Sequence, residues 1–190
     1  MRYLNKIVFI NSAAIRYSEV QLDGNIHLIG TQGVGKSTIL RAILFFYNAD
    51  TQRLGIPVEK KSYQDYYFPY ADSSIIYEVA REDGWFTVLS YKTMNRICYR
   101  FIASPYRPDL FIDEEGAPYP SDRIRSVLDK NGIKYSGAIS TYEEYRNILY
   151  GNSDNKRDYS CYSLMESGSY QNIIRTIRNV LLNSRLEADY

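Results

Sequence analysis

Hydrophobic and polar positions divide the chain into stretches of different period. Residues 3–10, YLNKIVFI, collect β-branched and aromatic side chains and predict a strand. Residues 15–22, IRYSEVQL, alternate weakly and predict a second strand. The turn signal DGN at 23–25 leads into IHLIG, a third expected strand at 26–30. From about Lys36 to Asn48 the period becomes helical. Ile39, Leu40, Ile43, Leu44 and Phe46 place apolar side chains around most of that helix, which predicts burial between a sheet and other elements. Residues 50–72 have no clear period, many tyrosines and a basic pair, Lys60-Lys61. They read as an irregular connection with room for one short helix.

The texture then changes. SSIIYEVA (73–80), GWFTVLSYK (84–92) and NRICYRFIA (95–103) are strand-like runs separated by short polar breaks, which favours an antiparallel meander. Four prolines, at 105, 108, 118 and 120, exclude a long regular element in the segment that follows. Helical patterns return at 121–131 and 141–150, with Ser121 and Thr141 as expected N-caps. From about Tyr170, Ile173, Ile177, Val180, Leu181 and Leu186 recur at helical spacing, and Arg175, Arg178 and Arg185 share another face. That basic face reads as solvated, or else as a DNA or partner contact. The pattern runs to Tyr190 without a stop signal, so the chain is expected to be cut in mid-helix.

Composition narrows the class. With 190 residues, 45% hydrophobic and 24% charged, the chain reads as a folded soluble domain, alone or with a small lobe. A net charge of +1 excludes a broadly basic nucleic-acid binder, so a DNA contact would need a local patch. Cys98 and Cys161 lack metal-ligand spacing and read as free thiols of a reducing compartment. His27, on an apolar strand, reads as a packed residue. No apolar run approaches the ~18 residues of a membrane span, and no signal peptide is expected. A cytoplasmic protein with no membrane association follows. The 20 tyrosines suggest only core and interface packing.

The candidate chemistry lies between the expected third strand and the first helix. Gly30-x-x-x-x-Gly35-Lys36-Ser37, followed by Thr38, is a complete phosphate-loop (Walker A) pattern. Gly33 and Gly35 are expected to take backbone conformations closed to residues with a Cβ and to let amides approach phosphate oxygens. The amides of residues 33–38 would surround the β-phosphate. Lys36 supplies a mobile charge for the β- and γ-phosphates, and the Ser37 hydroxyl is the expected Mg²⁺ ligand. The helix aims its positive end at the anion. The cofactor-binding residues are therefore Gly30, Thr31, Gln32, Gly33, Val34, Gly35, Lys36, Ser37 and Thr38, and the cofactors are ATP and Mg²⁺.

Hydrolysis needs further parts: an acidic residue on a neighbouring strand and a group that positions water. LFIDEEG offers Asp113 and Glu114 after three apolar residues, like the end of a Walker B strand. Asp109, Pro105 and Pro108 upstream and EEGAPYP downstream argue instead for a surface strand end. No other such run, no LSGG-like signature and no switch histidine stands in the chain, so no catalytic residue is assigned.

The stretches NSAAIRYSE (11–19), GTQGVGKST (30–38), YYFPY (66–70), YEEYRN (142–147) and LNSRLEA (182–188) together resemble SMC-like (MukB-like) bacterial ATPases. The resemblance covers essentially the whole chain. It implies an α/β fold, the N-terminal half of an ABC/SMC-type P-loop head, with an antiparallel β-lobe and a final helix leading toward a coiled coil. The implied divisions are 1–50 for the P-loop core, 51–169 for the β-lobe with helical insertion, and 170–190 for the start of the coiled coil. In this class Walker B and signature elements return only after the coiled coil. The implied partners are therefore the C-terminal half of the same head, a second head, and DNA. Gln32 stands where many SMC proteins carry Asn, and Asn11 and Ser12 fall near where the first strand turn approaches the base. Gln171 is the one glutamine in the region of the family's Q-loop, in surroundings that do not match it. The expected function is ATP binding, with hydrolysis once the head is completed, driving a DNA-acting machine. A self-sufficient small P-loop kinase or NTPase, or a nucleotide-dependent module without turnover, remain the alternatives.

Overall fold

The computed structural model of the chain describes residues 2–22, 35–48, 63–164 and 167–188. The expected strand at 26–30, His27, residues 30–34 of the phosphate loop and the pair at 60–61 lie outside them. Five strands form one antiparallel sheet in the order β2-β1-β3-β4-β5: β1 (Tyr3–Ser12), β2 (Ile15–Gln21), β3 (Ser74–Arg81), β4 (Gly84–Thr93) and β5 (Arg96–Ile102). The meander expected from 73–103 is present as β3-β4-β5. β1 pairs with β2 on one side and β3 on the other, so a single sheet takes strands from both sides of residue 50.

The period of two sorts side chains onto two faces. Ile7, Phe9, Ile75, Tyr77, Val79, Phe86, Val88, Tyr99 and Phe101 face one core, which includes α1 (Lys36–Asn48). Val8, Ile10, Ile76, Leu89, Cys98 and Ile102 face the other, against Leu110, Phe111, Ile124 and Leu128. Because both faces are covered, β3 to β5 read as near-continuous buried runs, and their sequences are correspondingly apolar.

On the first face, α1 is buried at every position from Ile39 to Tyr47, as its all-round apolar pattern predicts. Three shorter helices follow on the chain: α2 (Tyr63–Tyr67), α3 (Ser121–Lys130) and α4 (Tyr142–Leu149). Thr141 caps α4 as expected, its Oγ1 accepting the Glu144 amide at 3.2 Å. Ser121 is not a cap. It is the first helical residue of α3, and Pro120 precedes it in extended conformation without a side-chain bond. α5 (Lys156–Tyr159), a single turn capped by Asn155, has no counterpart among the elements expected from the sequence. The final helix, α6 (Ser167–Ala188), packs on α1. Tyr170, Ile174, Ile177 and Leu181 are buried there. Of the apolar positions read at helical spacing, Ile177 and Leu181 are buried, with α1 as the partner helix, and Ile173 and Val180 are half-buried.

Candidate functional site at the start of helix 1

The site begins where α1 does. The Gly35 carbonyl accepts the Ile39 amide at 3.2 Å, the first turn of the helix. The amides of Lys36, Ser37 and Thr38 therefore lie in the turn that has no intrahelical acceptors. Lys36 is exposed and Ser37 and Thr38 are half-buried, while the nine residues after them are buried. Among the described residues a Cβ at Gly35 would meet only Thr38 Oγ1, at 3.8 Å, an ordinary contact. Packing within the described protein thus does not require glycine at 35.

Tyrosine hydroxyls fix α1 in place. Tyr67 of α2 donates to the Thr38 carbonyl at 2.8 Å, Tyr77 of β3 to the Ala42 carbonyl at 2.9 Å, and Tyr145 of α4 to the Phe46 carbonyl at 2.5 Å. These carbonyls are four residues apart and form one stripe along the helix. Tyr150 donates to the next carbonyl, that of Tyr47. Among the described residues no helical amide donates to the carbonyls at the C-terminal end, Phe46 and Tyr47, and Tyr145 and Tyr150 supply their hydrogen bonds. The stacked rings between them, such as Tyr99–Tyr145 at 4.2 Å and Tyr63–Tyr67 at 4.2 Å, fill the core that carries these hydroxyls. Burial pushes the Tyr77 and Tyr145 phenols well above their ordinary 10.0, so both stay protonated donors. Four of the 20 tyrosines have this use.

The structure brings the turn at Asn11 and Ser12 to the same end of the sheet. Ala13 and Ala14 have φ of 50° and 63°, the pattern of a two-residue hairpin whose central residues are both left-handed. The Ala13 amide donates to the Tyr66 carbonyl at 3.2 Å, and the Tyr66 hydroxyl lies 3.4 Å from Thr38 Oγ1. One residue, Tyr66, therefore bridges the hairpin turn and the start of α1. Asn11, at φ 46°, accepts from Ser73 Oγ through its carbonyl. Ser12 is fully buried and its hydroxyl has no hydrogen-bond partner among the described residues. Tyr66 and Tyr67 were quoted in the sequence only as part of YYFPY, and nothing local marks their role, since the contacts are made across about thirty residues.

Asp113 and Glu114 lie elsewhere. Pro108–Leu110 is a short 3-10 helix, not a strand, and Leu110 and Phe111 pack into the second face of the sheet. Asp113 Oδ1 accepts the amides of Glu115 and Ala117, both at 2.9 Å, and so holds its own turn. The sheet separates this turn from the α1 core. Gln171 is exposed on α6. Cys98 is buried and Cys161 half-buried, and neither is in a disulfide. Among the described residues no group of three or more His, Cys, Asp or Glu side chains gathers for a metal ion. None of their helices is long and apolar enough to cross a membrane.

A family model described as a protein of unknown function, DUF3584, matches residues 11–174. That is well over half of the chain, and the chain belongs to this family. No curated protein matches it.

Proposed function

We propose that this DUF3584 member binds ATP with Mg²⁺ through residues 30–38 and is the N-terminal half of an SMC-like P-loop ATPase head. The observation that carries the reading is the start of α1. There a complete phosphate-loop sequence ends on a helix whose first turn leaves Lys36 exposed and Ser37 and Thr38 half-buried, on an otherwise buried rod. A glycine at 35 that the described packing does not need is accounted for by the close approach of a phosphate. These residues fit the cofactor: Lys36 would hold the β- and γ-phosphates and Ser37 the cation, whose role is to neutralise charge on the phosphates.

On this reading turnover needs a water-activating carboxylate and a signature motif from the C-terminal half and a second head. The use of Asp113 within its own turn, across the sheet from α1, supports that reading over a self-sufficient kinase. A cytoplasmic, DNA-acting machine is the proposed setting. A nucleotide-dependent module without turnover is the second reading, and the same geometry supports it equally.

Calorimetry with ATP–Mg²⁺ tests the binding. Lys36→Ala removes a charge-assisted contact and is expected to weaken affinity by roughly ten- to a hundredfold. Equal affinity of the two proteins, or no binding by the wild type, refutes the assignment. Steady-state hydrolysis tests the division of the head: the 190-residue chain alone is expected to turn over ATP at background rate. Robust turnover that obeys single-chain kinetics would favour the self-sufficient enzyme.

A further inference from the structure

A cavity of about 490 Å³ opens at the opposite end of the sheet, where β1 begins and β3 ends. Its walls are Arg2, Arg81 and the segment from Tyr150 to Ser163, including Lys156 and Cys161. Ten residues of β1, at ~3.3 Å each, put it about 30 Å from the hairpin turn beside Thr38. It is therefore separate from the phosphate loop.

The two guanidinium groups are held rigidly. Arg2 Nη1 donates to the Ser163 carbonyl, and its Nε meets the Glu82 carboxylate at 3.2 Å. Arg81 Nη1 donates to the Cys161 carbonyl, and its Nε lies 3.5 Å from Asp83. Both carboxylates are more than half exposed, in water at the rim. Arg2 itself is only 8% exposed. In neither arginine does Nη2 have a partner among the described residues. Lys156 Nζ donates to the Gly151 carbonyl and has two further hydrogens to give. Three cations thus converge on one cavity with donors to spare, while the neighbouring carbonyls of Gly151, Ser160, Cys161 and Ser163 already accept hydrogen bonds. Such a donor-rich wall is complementary to a ligand that only accepts, and two fixed guanidinium forks suit phosphate oxygens. The volume is that of a small-molecule site.

We propose that this cavity binds a phosphate-bearing small molecule, held by Arg2, Arg81 and Lys156. Its far wall communicates with α1 and α6. Tyr150 lines the cavity and donates to the Tyr47 carbonyl at the end of α1, and Tyr170 of α6 donates to the Arg2 carbonyl at 2.7 Å.

Cys161 lines the cavity and is half-buried, whereas Cys98 is buried, so the rate of Cys161 alkylation by N-ethylmaleimide reports on occupancy. Pyrophosphate is the probe, titrated at constant ionic strength with peptide mass spectrometry to separate the two thiols. Saturable protection of Cys161 is expected, and it should persist in Lys36→Ala, whose phosphate loop is impaired. Arg81→Gln should raise the half-protecting concentration by about tenfold or more, the loss of one charge-assisted contact. Lys156→Gln, at an exposed position where folding is not at stake, should raise it as well. Absence of protection in the wild type overturns the proposal, as does protection unaltered by Lys156→Gln in a folded protein. Protection lost in Lys36→Ala would place the effect at the phosphate loop and overturn it too. Protection by a 5′-phosphorylated oligonucleotide but not by pyrophosphate would overturn the small-molecule assignment.

Discussion

Tyr145→Phe and Tyr77→Phe remove the same atom from the same helix yet should differ in cost. Tyr77 donates to the carbonyl of Ala42, which in mid-helix also accepts the amide four residues on. Removing that hydroxyl costs one net hydrogen bond, ~0.5–1.5 kcal/mol. Tyr145 donates to the carbonyl of Phe46, within the last four residues of α1, where no helical amide among the described residues supplies a donor. Removing it leaves a buried acceptor open, which costs ~1–3 kcal/mol. Both phenols are at most 1% exposed, so water does not take their place without rearrangement. Tyr142→Phe is the control, because among the described residues the Tyr142 hydroxyl makes no hydrogen bond. Its change should stay below about 0.5 kcal/mol. Urea unfolding at neutral pH, analysed at a common m-value, gives all three differences. In thermal scans each kcal/mol should appear as about 2–4 °C for a chain of this size. If Tyr77→Phe proves as costly as Tyr145→Phe, or if both match Tyr142→Phe, tyrosine clamping of α1 is wrong.

Stability should fall as pH rises above about 10. Burial raises the phenols of Tyr63, Tyr77, Tyr99 and Tyr145 above 10.0, so the folded chain keeps protons that the unfolded chain loses, and each such group removes ~1.4 kcal/mol per pH unit. Urea midpoints that stay level from pH 9 to pH 11 would contradict this. Ala14→Gly should stabilise the hairpin by about 0.5–1 kcal/mol, because Ala14 is exposed at φ 63°, where a Cβ is disfavoured. A loss of stability would show that its methyl group matters more than the backbone. Asp113→Asn should lower stability by up to about 1 kcal/mol by weakening two amide contacts, and Glu114→Gln by almost nothing, while both leave ATP affinity unchanged. A changed nucleotide affinity, measured by calorimetry, would bring that turn back as a candidate metal site.

Local sequence was informative wherever a local interaction decides the structure. The all-round apolar pattern of Ile39 to Tyr47 marked a buried helix because helical period and burial are both written in consecutive residues. The meander was legible for a similar reason, since short polar breaks permit few connections other than hairpins. Thr141 was legible as a cap because its partner is three residues away. Ser121 was misread because Pro120 begins the helix without any side-chain bond.

What the sequence determined by itself is the buried helix that follows the phosphate-loop pattern and the strands of the meander. Tertiary structure decided which distant residues serve it. The pairing of β1 with β3 joins strands more than sixty residues apart, and no period encodes it. Tyr67, Tyr77 and Tyr145 reach α1 from three different elements, and only their packing reveals that their hydroxyls meet carbonyls spaced one helical turn apart. The placement of Asp113 behind the sheet and the convergence of Arg2, Arg81 and Lys156 on one cavity are equally non-local. A side chain's type states which bond it is able to make, and the fold alone brings a partner within 3 Å of it.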